Sequence, residues 1–127
     1  MNIWVDNIFY KVKDAFTIFQ FCAFININLP CFCYHEKLTI AGNCRICLVE
    51  ANNALVVSCA LPLVDGMQIF TENERVRYAR MSVLQFLLIN HPLDCPICDQ
   101  GGECDLQDIH WYLVLKEAIL IIFKNDL

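Results

Sequence analysis

Apolar and polar residues alternate along the first dozen positions of the chain. In MNIWVDNIFYKVK the alternation runs on both sides of Asp6-Asn7, a residue pair that favours a two-residue turn. The same pattern returns where CLVE and LVVSC flank Asn52-Asn53. The sequence therefore predicts two β-hairpins, separated by a segment of different periodicity.

Between the hairpins, apolar residues recur at helical intervals. Thr17 and Gln20 have the spacing of a capping box, and the apolar positions of 18–25 follow them. We expect a short helix that ends ahead of Pro30. A small sheet with one helix laid across it is the predicted fold of residues 1–70.

A second, longer helical pattern begins near residue 71. Thr71 and Glu74 again have capping-box spacing, and Pro92 ends the pattern, so that His91 follows the helix directly. The predicted inner stripe of this helix consists of Val76, Ala79, Val83, Phe86 and Asn90. The prediction for the whole chain is an α+β fold.

Composition narrows the class of protein. The chain has 127 residues, of which 57% are hydrophobic and 18% charged, which favours a subunit of a larger assembly over a free monomer. The net charge is −5 and no Lys/Arg cluster occurs, so nucleic acid is not an expected partner. The abundance of Ile, Phe and Asn with only four Gly is typical of AT-rich genes, as in organelle genomes.

No segment has the pattern of a targeting peptide or a membrane span. The most apolar stretch, WYLVLKEAILIIF, is interrupted by Lys116 and Glu117, and it predicts a docking helix or strand pair within residues 110–127. Nine cysteines is an odd number, and without a signal peptide metal binding is favoured over disulfides.

Four of the cysteines follow the pattern C-x10-C-x2-C-x11-C. They are Cys33, Cys44, Cys47 and Cys59. Four thiolates suit zinc, although a zinc ribbon normally has two C-x2-C pairs. One close pair with two remote cysteines is more similar to the ligand spacing of plant-type ferredoxins. A buried structural role for Cys33 or Cys59 is the alternative for either residue taken alone.

A second set follows the pattern H-x3-C-x2-C-x5-C. It consists of His91, Cys95, Cys98 and Cys104. Three thiolates and an imidazole can hold zinc or a 4Fe–4S cluster. The Gly101-Gly102 pair favours the cluster, because glycines allow backbone N–H groups to approach inorganic sulfide.

The segments FCYHEKLTIAGNCRICLVE, SCALP and NHPLDCPICDQGGECDLQD closely resemble the start of the large iron–sulfur subunit of respiratory complex I, NADH:ubiquinone oxidoreductase. The resemblance covers roughly residues 1–108. It implies a ferredoxin-like β-grasp domain over 1–70, a helix with a 4Fe–4S-binding segment over 71–109, and an apolar partner-docking tail over 110–127. It also implies one 2Fe–2S cluster on Cys33, Cys44, Cys47 and Cys59, and one 4Fe–4S cluster on His91, Cys95, Cys98 and Cys104.

The resemblance implies a relay of single electrons from a flavin site toward quinone, with no catalytic residue on this chain. No G-x-G-x-x-G occurs, so NADH and flavin are expected on a neighbouring subunit of the proton-translocating enzyme. The expected location is the peripheral arm on the matrix side of the mitochondrial inner membrane, with an organelle gene. The expected partners are other complex I subunits, with no direct membrane span.

The chain departs from the family pattern in three places. The gap between Cys47 and Cys59 is shorter than in relatives, and Cys31 is an extra thiol; we expect Cys22 and Cys31 to be non-ligands. After DLQD the sequence leaves the family, which predicts the N-terminal piece of a split subunit; a truncated fragment or a degenerate relic is the alternative. A separate polypeptide would then carry the remainder and the subunit's third cluster.

Other functions fit part of the pattern. The same ligand spacings occur in NAD-linked hydrogenases and formate dehydrogenases, and a structural zinc module or a cluster-free assembly scaffold would keep the fold without electron transfer. The acidic side chains of Glu103, Asp105 and Asp108 are expected to form a solvated or partner-facing surface.

Overall fold

The computed structural model describes the backbone of residues 1–125 and the side chains of residues 1–118. The chain divides into two compact units, Met1–Val83 and Leu84–Leu127. The first unit contains a sheet and a short helix, and the second contains the histidine and cysteine residues of the second candidate set.

The first unit is built on a five-stranded mixed sheet. Its strands are β1 (Asn2–Val5), β2 (Ile8–Lys11), β3 (Leu48–Ala51), β4 (Ala54–Val57) and β5 (Gln68–Phe70). The strand order is β2-β1-β5-β3-β4, in which β1 and β5 are parallel and the other neighbours are antiparallel. Strand β5 thus joins two sequence-local hairpins into one sheet.

Both predicted hairpins are confirmed. Asp6 and Asn7 have φ of 49° and 66°, and Asn52 and Asn53 have φ of 49° and 67°. A two-residue turn with both central residues at positive φ matches the twist of antiparallel strands, and Asn and Asp tolerate that conformation better than most residues.

The predicted short helix is also confirmed, as α1 (Ile18–Phe24). The Gln20 backbone N–H donates to the Thr17 hydroxyl at 3.3 Å, and the Thr17 N–H donates to the Gln20 side-chain oxygen at 3.0 Å. Buried residues of α1 pack with sheet residues in one core, which contains Ile3, Val5, Val12, Ile18, Phe21, Cys22, Val49, Ala51, Leu63, Met67 and Ile69. The helix therefore lies against the sheet, as the sequence predicted.

The long helix α2 spans Glu74–Ile89, but its predicted cap is wrong. The backbone N–H of Val76 donates to the Asn73 side-chain oxygen at 2.8 Å, so the capping side chain belongs to Asn73. Thr71 is engaged elsewhere, because its N–H donates to the Asp6 carboxylate at 2.9 Å. A long-range contact thus overrides the local capping spacing.

The predicted inner stripe of α2 is only partly correct. Val76 is fully buried, but Phe86 is 73% exposed and Asn90 is also exposed. The buried side chain one turn after Val76 is Arg80, whose guanidinium donates to the carbonyl of Leu48 at 3.0 Å. Apolar periodicity cannot reveal a buried cation, which explains the error.

The second unit contains a short 3-10 turn, Cys95–Ile97, and the helix α3, Asp105–Asn125. Its buried apolar side chains, among those described, are Leu84 and Leu113. The expected boundary between residues 109 and 110 falls inside α3, and the tail is helical as far as Asn125. Within the described residues, no helix has the length and apolar character to cross a membrane.

Candidate functional site

The first candidate set lies around the open ends of β3 and β4. Cys47 directly precedes β3, and Cys59 comes two residues after β4 ends. The pairing of Leu48 with Val57 continues outward, so that the Ser58 hydroxyl donates to the Cys47 carbonyl at 2.7 Å. The hairpin therefore fixes two of the four cysteines side by side, with both side chains buried.

Cys33 and Cys44 come from the long connection between α1 and β3. The sulfur of Cys33 accepts hydrogen bonds from the backbone N–H groups of Gly42, Asn43 and Cys44 and from the Cys44 side chain. Burial raises the pKa of Cys33, but these hydrogen bonds outweigh burial and leave the pKa below its ordinary value. Three N–H groups directed at one sulfur form a concave site that favours an anion.

The left-handed conformation of this connection explains how its N–H groups converge. Gly42 has φ of 62° and Arg45 has φ of 63°. They flank Asn43-Cys44, whose backbone N–H groups, together with that of Gly42, lower the pKa of Cys33. Glycine adopts such a φ without the steric cost that Arg45 bears.

All three other cysteines of the set affect the pKa of Cys59. Its pKa is raised to about 12 by burial first, then by the nearby charge of Cys47 and a hydrogen bond with the Cys47 side chain, and then by Cys33 and Cys44. Charge on the other three sulfurs therefore opposes the ionisation of Cys59. Cations placed among them would relieve that repulsion, so the donor set fits an iron–sulfur cluster.

The two remaining cysteines of this unit lie in different environments. Cys22 belongs to the apolar core, where burial raises its pKa to about 12. Cys31 is half-buried and lies two residues before Cys33. None of the nine cysteines, all of which are described, forms a disulfide.

The second candidate set lines one cavity of about 490 Å³ in the second unit. His91, Cys95, Cys98 and Cys104 all border it. His91 follows the end of α2, Cys95 begins the 3-10 turn, Cys98 follows that turn, and Cys104 immediately precedes α3. The side chains of His91, Cys95 and Cys98 are exposed and that of Cys104 is half-buried, so the site opens to the surface of its unit.

Gly101 is required by the way the loop folds back on itself. A Cβ on this residue would lie 2.8 Å from the carbonyl oxygen of Cys95 and 3.1 Å from that of Cys98. No larger residue fits without moving the backbone that carries these two cysteines. The N–H of Gly101 also donates to the Cys98 carbonyl at 3.0 Å, which closes the turn around the cavity.

The N–H groups of the two glycines were expected to approach inorganic sulfide, but in the structure they have other partners. The Gly102 N–H donates to the side-chain oxygen of Gln107 at 3.1 Å, and that of Gly101 is bound to Cys98. Both donors are therefore used within the protein. The glycines serve close approach at position 101 and a φ of 84° at position 102.

Neither set is arranged like the ligands of one ion. Within residues 1–118, no group of three or more His, Cys, Asp and Glu side chains is placed to hold a single metal ion. Glu103, Asp105 and Asp108 are not buried in the described structure, as expected for a solvated surface.

Sequence reasoning missed one residue of the cavity wall, His110. It lines the cavity together with the four candidate ligands. Its position at the start of the helical pattern that follows Cys104 is the signal from which it could have been found, because the first turns of α3 continue directly from the loop that carries Cys104.

Two known families match successive parts of the chain. Residues 1–74 match the family described as the 2Fe-2S iron-sulfur cluster binding domain. Residues 80–117 match the NADH-ubiquinone oxidoreductase-G iron-sulfur binding region. Each match includes one of the two candidate ligand sets.

Three relatives from different organisms have related names. The NADH-ubiquinone oxidoreductase 75 kDa subunit of Reclinomonas americana is 59% identical over 86% of this chain and 16% of that protein. The mitochondrial NADH dehydrogenase (ubiquinone) iron-sulfur protein 1 of Solanum tuberosum is 51% identical over 85% of this chain and 15% of that protein. A subunit of the NADH-quinone oxidoreductase of Rickettsia felis is 54% identical over 82% of this chain and 16% of that protein.

A solved structure shares the fold. The crystal structure of an NAD⁺-reducing NiFe-hydrogenase in the H₂-reduced state superposes with a TM-score of 0.81 at 28% identity, over 88% of this chain and 48% of that chain. The three relatives are far longer, since this chain spans only 15–16% of their length. The chain belongs to the family of the 75 kDa iron–sulfur subunit of NADH–ubiquinone oxidoreductase and corresponds to its N-terminal region.

Proposed function

We propose that this chain transfers electrons within NADH:ubiquinone oxidoreductase by means of two iron–sulfur clusters. Each cluster would accept and release one electron at a time on the way from the flavin site toward quinone. The proposed ligands of the 2Fe–2S cluster are Cys33, Cys44, Cys47 and Cys59, and those of the 4Fe–4S cluster are His91, Cys95, Cys98 and Cys104.

The observation that carries this proposal is the environment of Cys33. Three backbone N–H groups are directed at its sulfur, while the pKa of Cys59 is raised by burial and by the thiols around it. Such a site favours negative charge on the sulfur of Cys33 but opposes it on the sulfur of Cys59 unless cations lie between them. Iron supplies that charge, and the N–H groups remain available to sulfur atoms.

The second site supports a relay because of its position at a surface. Three of its four proposed ligands are exposed, so a redox partner can approach the cluster closely. The chain itself would position the two clusters and tune their reduction potentials. The hydride transfer of the proton-translocating enzyme would take place on another subunit.

The proposed organisation is a 2Fe–2S domain over 1–70, a 4Fe–4S segment over 71–109 and a docking tail over 110–127. Exposed apolar side chains on α3, namely Trp111, Tyr112 and Leu115, support docking to another polypeptide. We propose that this partner carries the part of the 75 kDa subunit that follows in the family. A Leu115→Glu substitution should then weaken co-purification with that part, whereas Glu117→Gln should not.

The proposed location is the matrix side of the mitochondrial inner membrane, in the peripheral arm, with the gene in the organelle. The Solanum tuberosum relative is named as a mitochondrial protein, which supports this location. The neighbouring subunits would include the one that binds NADH and flavin. Affinity purification from isolated mitochondria, followed by mass spectrometry, tests this assembly.

A hydrogenase subunit is the nearest alternative, because the solved hydrogenase has the same fold at 28% identity. The identities of 51–59% to oxidoreductase subunits favour complex I. Formate dehydrogenase and a structural zinc module are the further alternatives. The partners that co-purify distinguish complex I from the two other enzymes, and metal analysis distinguishes the zinc module.

Substitution of one ligand from each set tests the assignment. Cys47→Ser should remove the binuclear EPR signal and leave the tetranuclear one, and Cys98→Ser should do the reverse. Cys31→Ser is the matched control and should leave both signals. Retention of both signals in Cys47→Ser or Cys98→Ser would overturn the assignment of that set.

A further inference from the structure

One short turn carries two of the four ligands proposed for the second site. Cys95 begins the 3-10 turn Cys95–Ile97, and Cys98 follows it directly. The N–H of Cys98 donates to the carbonyl of Cys95 at 3.4 Å, which closes a four-residue turn. Pro96 is the second residue of that turn, a position where its fixed φ is favourable.

The turn places the side chains of Cys95 and Cys98 on the same side. Residues i and i+3 of a 3-10 turn eclipse each other and lie about 6 Å apart along its axis. A disulfide joins cysteines whose Cα atoms are roughly 4.4–6.8 Å apart. Both cysteines also border the same cavity. The turn therefore already holds the two residues at the separation that a disulfide needs.

Neighbouring backbone contacts hold this turn in shape. The N–H of Ile97 donates to the Asp94 carbonyl at 3.0 Å, and that of Gly101 donates to the Cys98 carbonyl at 3.0 Å. Gly101 also packs against the turn, because a Cβ at this position would lie 2.8 Å from the carbonyl oxygen of Cys95. The geometry of the turn therefore comes from the protein's own backbone.

The two thiols of the turn are also accessible to a soluble oxidant. Of the nine cysteines, all of which are described, Cys95 and Cys98 alone are exposed. The chain's other C-x2-C pair, Cys44 and Cys47, differs because Cys47 is fully buried. Cys104, the third cysteine of the cavity, is half-buried. Proximity and exposure therefore coincide at Cys95 and Cys98.

We propose that Cys95 and Cys98 form a reversible disulfide when no cluster is bound to the second site, with a low-molecular-weight disulfide such as oxidised glutathione as the oxidant. One cysteine sulfur attacks a sulfur of the oxidant, which forms a mixed disulfide and releases one thiol. The second cysteine sulfur displaces the remaining thiol and closes the bond. The two cysteines lose two electrons and two protons in total, and the oxidant is reduced to two thiols.

The disulfide would control the loading of the second site. It removes two of the four proposed ligands, so the oxidised site takes no tetranuclear cluster until a thiol reduces the bond. This consequence rests on the proposed function, whereas the disulfide itself rests on the geometry and exposure of the turn. A disulfide of this kind is transient in a reducing compartment and serves as a redox sensor.

The test uses the full chain after anaerobic removal of its clusters, equilibrated with mixtures of reduced and oxidised glutathione. Alkylation of the free thiols and peptide mapping by mass spectrometry give the equilibrium constant of the Cys95–Cys98 bond. The measurement is repeated in concentrated urea, which removes the turn. Cys104→Ser removes the other thiol of the cavity, and Cys98→Ser removes one partner of the bond. Oxidised and reduced samples of the parent then receive ferrous iron and sulfide, and low-temperature EPR measures cluster assembly.

The parent should form the bond with an equilibrium constant at least about tenfold larger in buffer than in urea, because the folded turn already holds the two cysteines together. Cys104→Ser should match the parent, and Cys98→Ser should leave Cys95 as a mixed disulfide with glutathione. The oxidised parent should give no tetranuclear EPR signal until dithiothreitol is added.

Equal equilibrium constants in buffer and in urea would overturn the inference and leave the proposed function intact, as would a bond from Cys104 to either of the other two cysteines. Assembly of the tetranuclear cluster on the oxidised chain without a reductant would overturn the control of loading. A reduced parent that forms the disulfide but assembles no tetranuclear cluster would refute the proposed function at this site and support the disulfide.

Discussion

The hydroxyl of Ser58 donates a 2.7 Å hydrogen bond to the backbone carbonyl of Cys47, and both residues are fully buried. This bond connects the residue before β3 to the residue after β4. It holds the ends of the hairpin together at the point where Cys47 and Cys59 enter the site.

Ser58→Ala should therefore loosen the first site. The substitution leaves a buried carbonyl without its partner, which costs about 1–3 kcal/mol. We expect a lower urea midpoint and a broadened binuclear EPR signal. Ser82→Ala is the control, because Ser82 is exposed and bonds only within α2; equal effects of the two substitutions would refute this role for Ser58.

Gly101→Ala should abolish the second cluster and leave the first in place. Its Cβ would lie 2.8 Å from the Cys95 carbonyl oxygen, so the loop must move. Gly66→Ala is the control for backbone strain without a clash, since φ of 81° strains an alanine there but nothing lies within 4 Å of the added Cβ; it should leave the second cluster in place. Iron content and the tetranuclear EPR signal measure the effect, and a normal signal in Gly101→Ala would contradict the proposed packing.

Thiol reactivity in the cluster-free chain should follow the hydrogen bonds around each sulfur. The pKa of Cys33 lies below its ordinary value, whereas the pKa values of Cys22 and Cys59 are about 12. Because the thiolate is the reactive form, iodoacetamide at pH 8 should modify Cys33 well before the other two. Peptide mapping by mass spectrometry checks the order, and faster modification of Cys59 would contradict it.

The same pKa values set the pH dependence of the cluster-free chain. The pKa values of Cys59 and Cys22 are raised from 9.0 to about 12, so the unfolded chain loses these protons first. Their contribution to stability is present below pH 9 and is lost as the pH rises toward 12. Cys33 works in the opposite sense, because its lowered pKa favours folding above the ordinary value of 9.0 and the benefit disappears as the pH falls through the lowered pKa. Urea midpoints should fall from pH 9 to 11, and a flat profile would contradict the burial of Cys22 and Cys59.

Arg80→Met should destabilise the first unit by about 3 kcal/mol. The buried guanidinium donates to the carbonyls of Leu48 and Thr71, at 3.0 and 3.1 Å, and both would lose their donor. The control is Arg75→Met, whose side chain is 53% exposed and should cost under about 1 kcal/mol. Chemical unfolding measures both substitutions, and similar costs would contradict a structural role for the buried cation.

Local sequence patterns correctly predicted the elements that are stabilised by residues close together in the sequence. The hairpins at Asp6-Asn7 and Asn52-Asn53 and the Thr17 cap depend on neighbouring residues, and the structure confirms each. The Thr71 cap failed because Asp6, far away in sequence, accepts its hydrogen bonds. Strand β5 was not predicted, since it is three residues long and is held by partners in two different hairpins.

The candidate ligands could be predicted from the sequence because their residue types and their spacing are typical of metal ligands. The surroundings that tune the ligand sulfurs could not be predicted in this way. The N–H groups around Cys33 depend on positive φ at Gly42 and Arg45, which no spacing reveals. The place of His110 in the cavity wall depends on where α3 begins and which of its faces turns inward.

Low-temperature EPR of the anaerobically purified, dithionite-reduced protein tests the central claim most directly, with iron, acid-labile sulfide and zinc assayed on the same sample. The proposed function predicts signals from one binuclear and one tetranuclear centre, with iron and sulfide in matching amounts. Zinc without acid-labile sulfide, in a protein that gives no reduced signal, would contradict electron transfer and leave a structural metal module.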